Sequence, residues 1–110
     1  MNTAVQLHPA AADDFDRFWA LVPDRYGRKN GKALARQIFA FITSPEGYQT
    51  RMKNRESGEY VQVYWKATPE ELIAGMKAYM MYVGAERNAG RTAYVQDAAT
   101  WLNRGGWLDD

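Results

Sequence analysis

Apolar residues recur at helical spacing in three places along the chain. Phe15, Phe18, Trp19 and Val22 stand at i, i+3, i+4 and i+7, which makes one amphipathic face. Pro23 stops that run, and Asp13 or Asp14 is placed to cap its start. Trp19 is expected to belong to the aromatic anchor of the core. A second stripe, Leu34, Ile38, Phe41 and Ile42, broadened by Ala35 and Phe39, predicts a helix from near Lys32 to Ile42 or Thr43, ended by Ser44-Pro45. The third stripe is Leu72, Ile73, Met76, Tyr79, Met80 and Val83. Ahead of it, Thr68-Pro69-Glu70-Glu71 supplies an N-cap, Pro at the first helical position and Glu at the third, which is a capping box. Asn88-Ala89-Gly90 ends this helix. Gly75 within it is a weak point or a close helix contact. Asp97 can cap a short fourth helix ending near Asn103, and Gly105-Gly106 offers a positive-φ turn that lets Trp107 fold back.

The middle of the chain is less regular. Glu46 to Glu56 is polar, with Tyr48 and Met52 at helical spacing, so a short exposed helix and an ordered loop both fit; Gly58 breaks it. Tyr60-Val-Gln-Val-Tyr-Trp65 is a strand by propensity, although its length also suits a helix. A lone strand needs a partner, and no second convincing strand is visible. The fold expected is mainly α: a small bundle of about four helices, with a short strand or hairpin near residues 58–66. Residues 1–12 are expected to form a flexible N-terminal tail, and residues 13–110 one helical domain, since 110 residues give a single core at most.

Charge changes this picture more than composition does. The net charge is only +1, but residues 1–24 carry −3, residues 25–55 carry +7 and residues 56–110 carry −3. Such a block sets up a local field whatever the total. It reads either as a solvated helix face and loop, or as a site for phosphate or an acidic protein surface. With no cysteine, disulfides and thiolate metal sites are excluded. No apolar stretch approaches the length of a membrane span, and the N-terminus lacks the pattern of a signal peptide, so a cytoplasmic location and no membrane partner are expected.

Catalysis needs a positioned nucleophile, acid, base or metal. The one histidine, His8, lies in the expected tail without a ligand-spaced companion. Glu70-Glu71 is explained by helix-start chemistry, Asp109-Asp110 is terminal, and Asp13, Asp14 and Asp16 sit where a helix start stabilises acids. The basic Gly27-Arg28-Lys29-Asn30-Gly31 does not match a phosphate-binding loop of the Walker type, though main-chain amides there can approach a phosphate. The chain is therefore expected to be non-enzymatic, with no cofactor and no metal.

Three segments in this order resemble the C-terminal domain of phage and prophage replication-initiation proteins, helix-turn-helix proteins with a trailing helical domain akin to DnaD-like proteins. They are Phe15-Asp16-Arg17-Phe18-Trp19-Ala20-Leu21-Val22-Pro23; Arg28-Lys29-Asn30-Gly31-Lys32-Ala33-Leu34-Ala35-Arg36; and Tyr94-Val95 with Ala99-Thr100-Trp101-Leu102-Asn103-Arg104-Gly105-Gly106-Trp107-Leu108-Asp109-Asp110. The last is the most specific. Ile38-Phe39 stand where the family has Trp, and residues 44–66 are longer and more aromatic. The resemblance implies a helical module in a phage replication context.

Two functions follow as expectations. In the first, Arg25, Arg28, Lys29, Lys32 and Arg36 contact phosphates of single-stranded DNA, with Tyr26 and Tyr48 stacking on bases. In the second, the same basic segment meets an acidic or DNA-mimicking surface of a phage or host replication or defence protein, with aromatics of Tyr60–Trp65 as anchors. Self-association through an aromatic face is a third expectation.

Overall fold

The computed structural model describes residues 14–25, 27–91 and 95–109. The expected tail over residues 1–12, the Asp13 alternative for the first cap, and Tyr94 lie outside them. Residues 14–21 form helix α1. Then come α2 (Lys32–Thr43), strands β1 (Tyr48–Lys53) and β2 (Tyr60–Trp65), α3 (Pro69–Asn88), α4 (Ala98–Asn103) and a 3-10 turn at Gly106–Leu108. The described chain is thus largely helical with one antiparallel hairpin. No described helix is long and apolar enough to cross a membrane.

The core is aromatic at its centre. Phe15 and Phe18 from α1 are buried against Phe39 of α2, with ring centroids 5.5 and 5.1 Å away, and Phe18 meets Trp101 of α4 at 5.9 Å. Val22, Ile42, Leu72, Met76, Val83 and Leu102 are also buried. Trp19 is half-buried and stacks on Phe15 at 5.9 Å.

The buried stripe of α2 is rotated from the expected one. Ala35, Ile38, Phe39 and Ile42 face inward, whereas Leu34 is 52% and Phe41 46% exposed. The sequence offers two overlapping stripes, and packing selects the one in which Phe39 wedges against both phenyl rings of α1. Ala35 on the same side lets the helices approach. Phe41 instead stacks on Tyr48 at 5.9 Å, with 9° between the rings.

The hairpin corrects the reading of residues 46–66. It spans Tyr48–Trp65, and its first strand is Tyr48–Lys53, in the segment expected to be a helix or loop. Gln, Arg, Met and Lys carry little strand preference, Tyr48 and Thr50 alone being of strand-favouring type, and Tyr48 with Met52 also fits a helical period. What makes this segment a strand is its pairing with Tyr60–Trp65. Asn54 organises the turn: its Oδ1 accepts the amides of Glu56 and Ser57, and its carbonyl accepts the Gly58 amide at 2.8 Å. Gly58 there has φ 75°, a conformation glycine adopts without strain.

The remaining helix signals appear as expected. Thr68 and Glu71 form the reciprocal capping box, with Glu71 N–H donating to Thr68 Oγ1 at 3.1 Å and Thr68 N–H to Glu71 Oε1 at 2.9 Å. Asp97 Oδ1 accepts the Thr100 amide at 2.8 Å, capping α4. After α4 the chain turns at Gly105 and Trp107 folds back onto α3. A Cβ at Gly75 would lie 2.6 Å from Trp107 Cβ, so Gly75 marks a close contact.

Candidate nucleic-acid interface

The basic segment begins in the loop between α1 and α2. Arg25 and Arg28 exchange two main-chain hydrogen bonds, at 2.6 and 2.9 Å, that close a tight turn. Tyr26, inside that turn, lies outside the described residues. Asp24 precedes the turn. Oδ2 accepts the Gly27 amide at 2.9 Å, while Arg87 of α3 donates to Oδ1 at 3.3 Å and to the Asp24 carbonyl at 2.7 Å. The Gly27 hydrogen bond, then Arg87, holds the Asp24 pKa below the ordinary carboxylate value.

Three of the expected site residues converge on α1. Lys29 Nζ donates to the Trp19 carbonyl at 3.0 Å and sits 5.8 Å from the Trp19 ring centroid; Lys32 Nζ lies 5.8 Å from the same ring. One turn further along α2, the Arg36 guanidinium covers the Phe15 ring at 5.0 Å. A cation over an exposed aromatic face gains about 0.5–1 kcal/mol. These side chains therefore shield the edge of the core, and all three remain exposed. Tyr48, expected to stack on bases, is engaged elsewhere, against Phe41 and with its hydroxyl donating to Asn103 Oδ1 at 2.9 Å.

The hairpin adds Gln49, Arg51 and Lys53, which the sequence did not single out, and sets them opposite the Tyr60–Trp65 segment read there as aromatic anchors. Its register pairs Gln49 with Tyr64, Arg51 with Gln62 and Lys53 with Tyr60. Side chains alternate across a strand, so these six share one face, and all six are exposed. Tyr60 is 64% and Tyr64 51% exposed. Arg51 lies over the Tyr60 ring at 5.7 Å, and Arg55 is exposed in the turn. Period-2 alternation of Gln, Arg and Lys at 49, 51 and 53 was the available signal. It only becomes a face once the partner strand is known.

The ion pairs of the described residues use Arg17, Arg87, Arg91 and Arg104. Arg28, Lys29, Lys32, Arg36, Arg51, Lys53 and Arg55 pair with no described carboxylate. The seven cations from Arg28 to Arg55 are thus exposed without a described carboxylate partner, while four of the six described cations outside the segment form ion pairs.

A cleft of about 420 Å³ opens between α3 and the C-terminal segment, walled by Tyr79, Tyr82 and Trp101. Its one cation, Arg104, is engaged by Gln96 at 2.7 Å and Asp109 at 2.8 Å. Comparison with protein-family models, with curated proteins and with solved structures returns no match to this chain.

Proposed function

We propose that this protein is a non-enzymatic nucleic-acid-binding module that contacts the phosphates of single-stranded DNA, in the phage or prophage replication setting that its sequence resembles. The observation that carries the reading is the charge from Arg28 to Arg55, seven exposed cations without a described carboxylate partner. Cations without a carboxylate partner are available to a polyanion, and each phosphate contact releases condensed counterions. Arg28, Lys29, Lys32 and Arg36 supply contacts from the loop and helix α2, and the cations of the hairpin extend them. Arg25 belongs to the same segment. Such contacts position a strand without specifying its sequence.

The test is a salt titration with fluorescently labelled oligothymidylate. Binding at low salt, weakening steeply as salt rises from about 50 to 200 mM, is the expected result. Reversing charge at Arg28, Lys29 and Lys32 together to Glu should abolish it. Absence of binding by the unaltered protein at low salt overturns the proposal.

One observation favours a second reading, a module that recruits or inhibits a phage or host protein. Tyr82 is exposed on α3 at the wall of the aromatic cleft and Met81 is exposed on the same helix, and exposed Met and Tyr are common anchors of protein interfaces. A stable complex with a replication or defence protein that survives high salt and is lost in Met81→Glu would favour this reading over the first.

A further inference from the structure

The exposed face of the hairpin is not merely basic; its charge and its aromatic surface are segregated by strand. Along β1 the outward row is Gln49, Arg51, Lys53; along β2 it is Tyr60, Gln62, Tyr64. The two rows run side by side about 4.8 Å apart. Within the second row the tyrosines are four residues apart, about 13 Å.

The Tyr64 ring is held in place before any ligand arrives. The Tyr64 hydroxyl donates to the Glu46 carbonyl at 2.7 Å. Its ring lies so close over Gly47 that a Cβ there would come within 2.6 Å of the ring carbon bearing the hydroxyl. Gly47 has φ 77°, so glycine serves both the turn and the ring's seat. Tyr60 carries the Arg51 guanidinium near one face at 5.7 Å and remains mostly exposed. A ring already fixed, as that of Tyr64 is, loses little conformational freedom on binding.

We propose that this outer face is a platform for an unpaired nucleic-acid strand, with the sugar-phosphate backbone along Arg51 and Lys53 and bases stacked on Tyr60 and Tyr64. This rests on the nucleic-acid reading above and adds to it the element that holds the bases. The row structure selects the ligand. A single strand carries phosphates along one side and free base faces along the other, which matches one cationic row beside one aromatic row. A duplex presents phosphates on both flanks of a groove and keeps its base faces inside the stack. It would call for cations on both strands of the ribbon, and β2 has none facing outward. Stacking accepts any base, because every base has a π face, so the platform is indifferent to sequence.

The experiment measures binding of oligothymidylate, oligouridylate and oligodeoxyuridylate of about 12 nucleotides, and of a duplex of equal length, to the full chain across a range of salt. For the unaltered protein, binding to the single strands should exceed binding to the duplex, and the ratio of oligouridylate to oligodeoxyuridylate, which differ in the sugar alone, identifies the preferred sugar. Tyr60→Leu and Tyr64→Leu should each weaken binding about tenfold with the salt slope unchanged. Tyr60→Phe, which keeps the ring, should stay within about twofold of the unaltered protein on the same stacking argument. Arg51→Gln with Lys53→Gln should reduce the salt slope by about 1.4, a loss that fades at high salt. Circular dichroism of each variant checks that the hairpin is intact, and Tyr60→Phe supplies the comparison if Tyr60→Leu perturbs it. If the unaltered protein binds strands but both Tyr→Leu variants bind equally well, the platform is overturned and the electrostatic reading stands. Equal or tighter binding of the duplex also overturns the platform. No binding of any oligomer at low salt overturns both.

Discussion

The indole N–H of Trp65 donates to the main-chain carbonyl of Asn103 at 2.8 Å, tying the last residue of the hairpin to the last residue of α4. Tyr48, the register partner of Trp65, donates its hydroxyl to the side chain of the same asparagine at 2.9 Å. One residue thus clamps both strands at the root of the hairpin. A two-stranded sheet is marginal alone, so this clamp, with Trp65 packed edge-on to Trp107 at 5.6 Å, is what makes the hairpin a fixed part of the fold. Tyr48→Phe should lower stability by about 1 kcal/mol and Asn103→Ala by a similar amount on the same grounds. The hairpin amides should then exchange hydrogen faster than those of α2, a comparison that hydrogen-exchange mass spectrometry makes directly.

Glycines 75 and 84 of α3 should respond to alanine with opposite signs. In an exposed helix interior the change gains roughly 0.5–1 kcal/mol. At Gly84 a Cβ meets nothing within 4 Å, so the full gain is expected. At Gly75 a Cβ would sit 2.6 Å from Trp107 Cβ and 2.8 Å from Trp107 Cα, and overpacking of this kind costs about 1–3 kcal/mol. Backbone atoms cannot swing aside, so the net effect should be destabilising. Thermal melts of the two variants that shift in the same direction would contradict this packing.

Thr68→Ala removes one half of the capping box and leaves the Glu71 amide without its side-chain acceptor. The loss should be about 1 kcal/mol. Thr68→Ser keeps the acceptor oxygen and should be near neutral. Denaturant midpoints of the pair separate the cap from the threonine methyl group.

Asp24 links the basic loop to α3 and should make that junction acid-sensitive. Its pKa is lowered in the folded chain, first by the Gly27 amide and then by Arg87. A group so shifted contributes stability that is present above its unfolded pKa, about 3.9, and is lost as pH falls through the lower folded value. Arg87→Gln should move the Asp24 titration back toward the ordinary range while leaving the Gly27 contribution. Carboxyl chemical shifts followed against pH report both values.

Charge at the α1–α2 edge has a structural share that should be small. Lys32→Gln and Arg36→Gln each remove a cation from above an aromatic ring, and each should lower stability by no more than about 1 kcal/mol. A larger loss would mean that these side chains serve chiefly to hold α2 on α1. The nucleic-acid effect of the same changes would then be indirect.

The order of residues alone set what depends on near neighbours. The Thr68–Glu71 box, the Asp97 cap, the turn at Gly105 and the helical faces of α1 and α3 are local in this sense, because each partner lies within a turn or two of the other. It also determined where positive charge accumulates, since charge is additive along a chain. Tertiary structure decided what depends on residues far apart. Whether Leu34 and Phe41 or Ala35 and Phe39 point inward on α2 was settled by the rings of Phe15 and Phe18. Tyr48–Lys53 is a strand only because Tyr60–Trp65 lies beside it and Asn103 anchors both. The segregation of Arg51 and Lys53 from Tyr60 and Tyr64 onto two rows of one face follows from that register. A shift of one residue along either strand would turn its outward row inward.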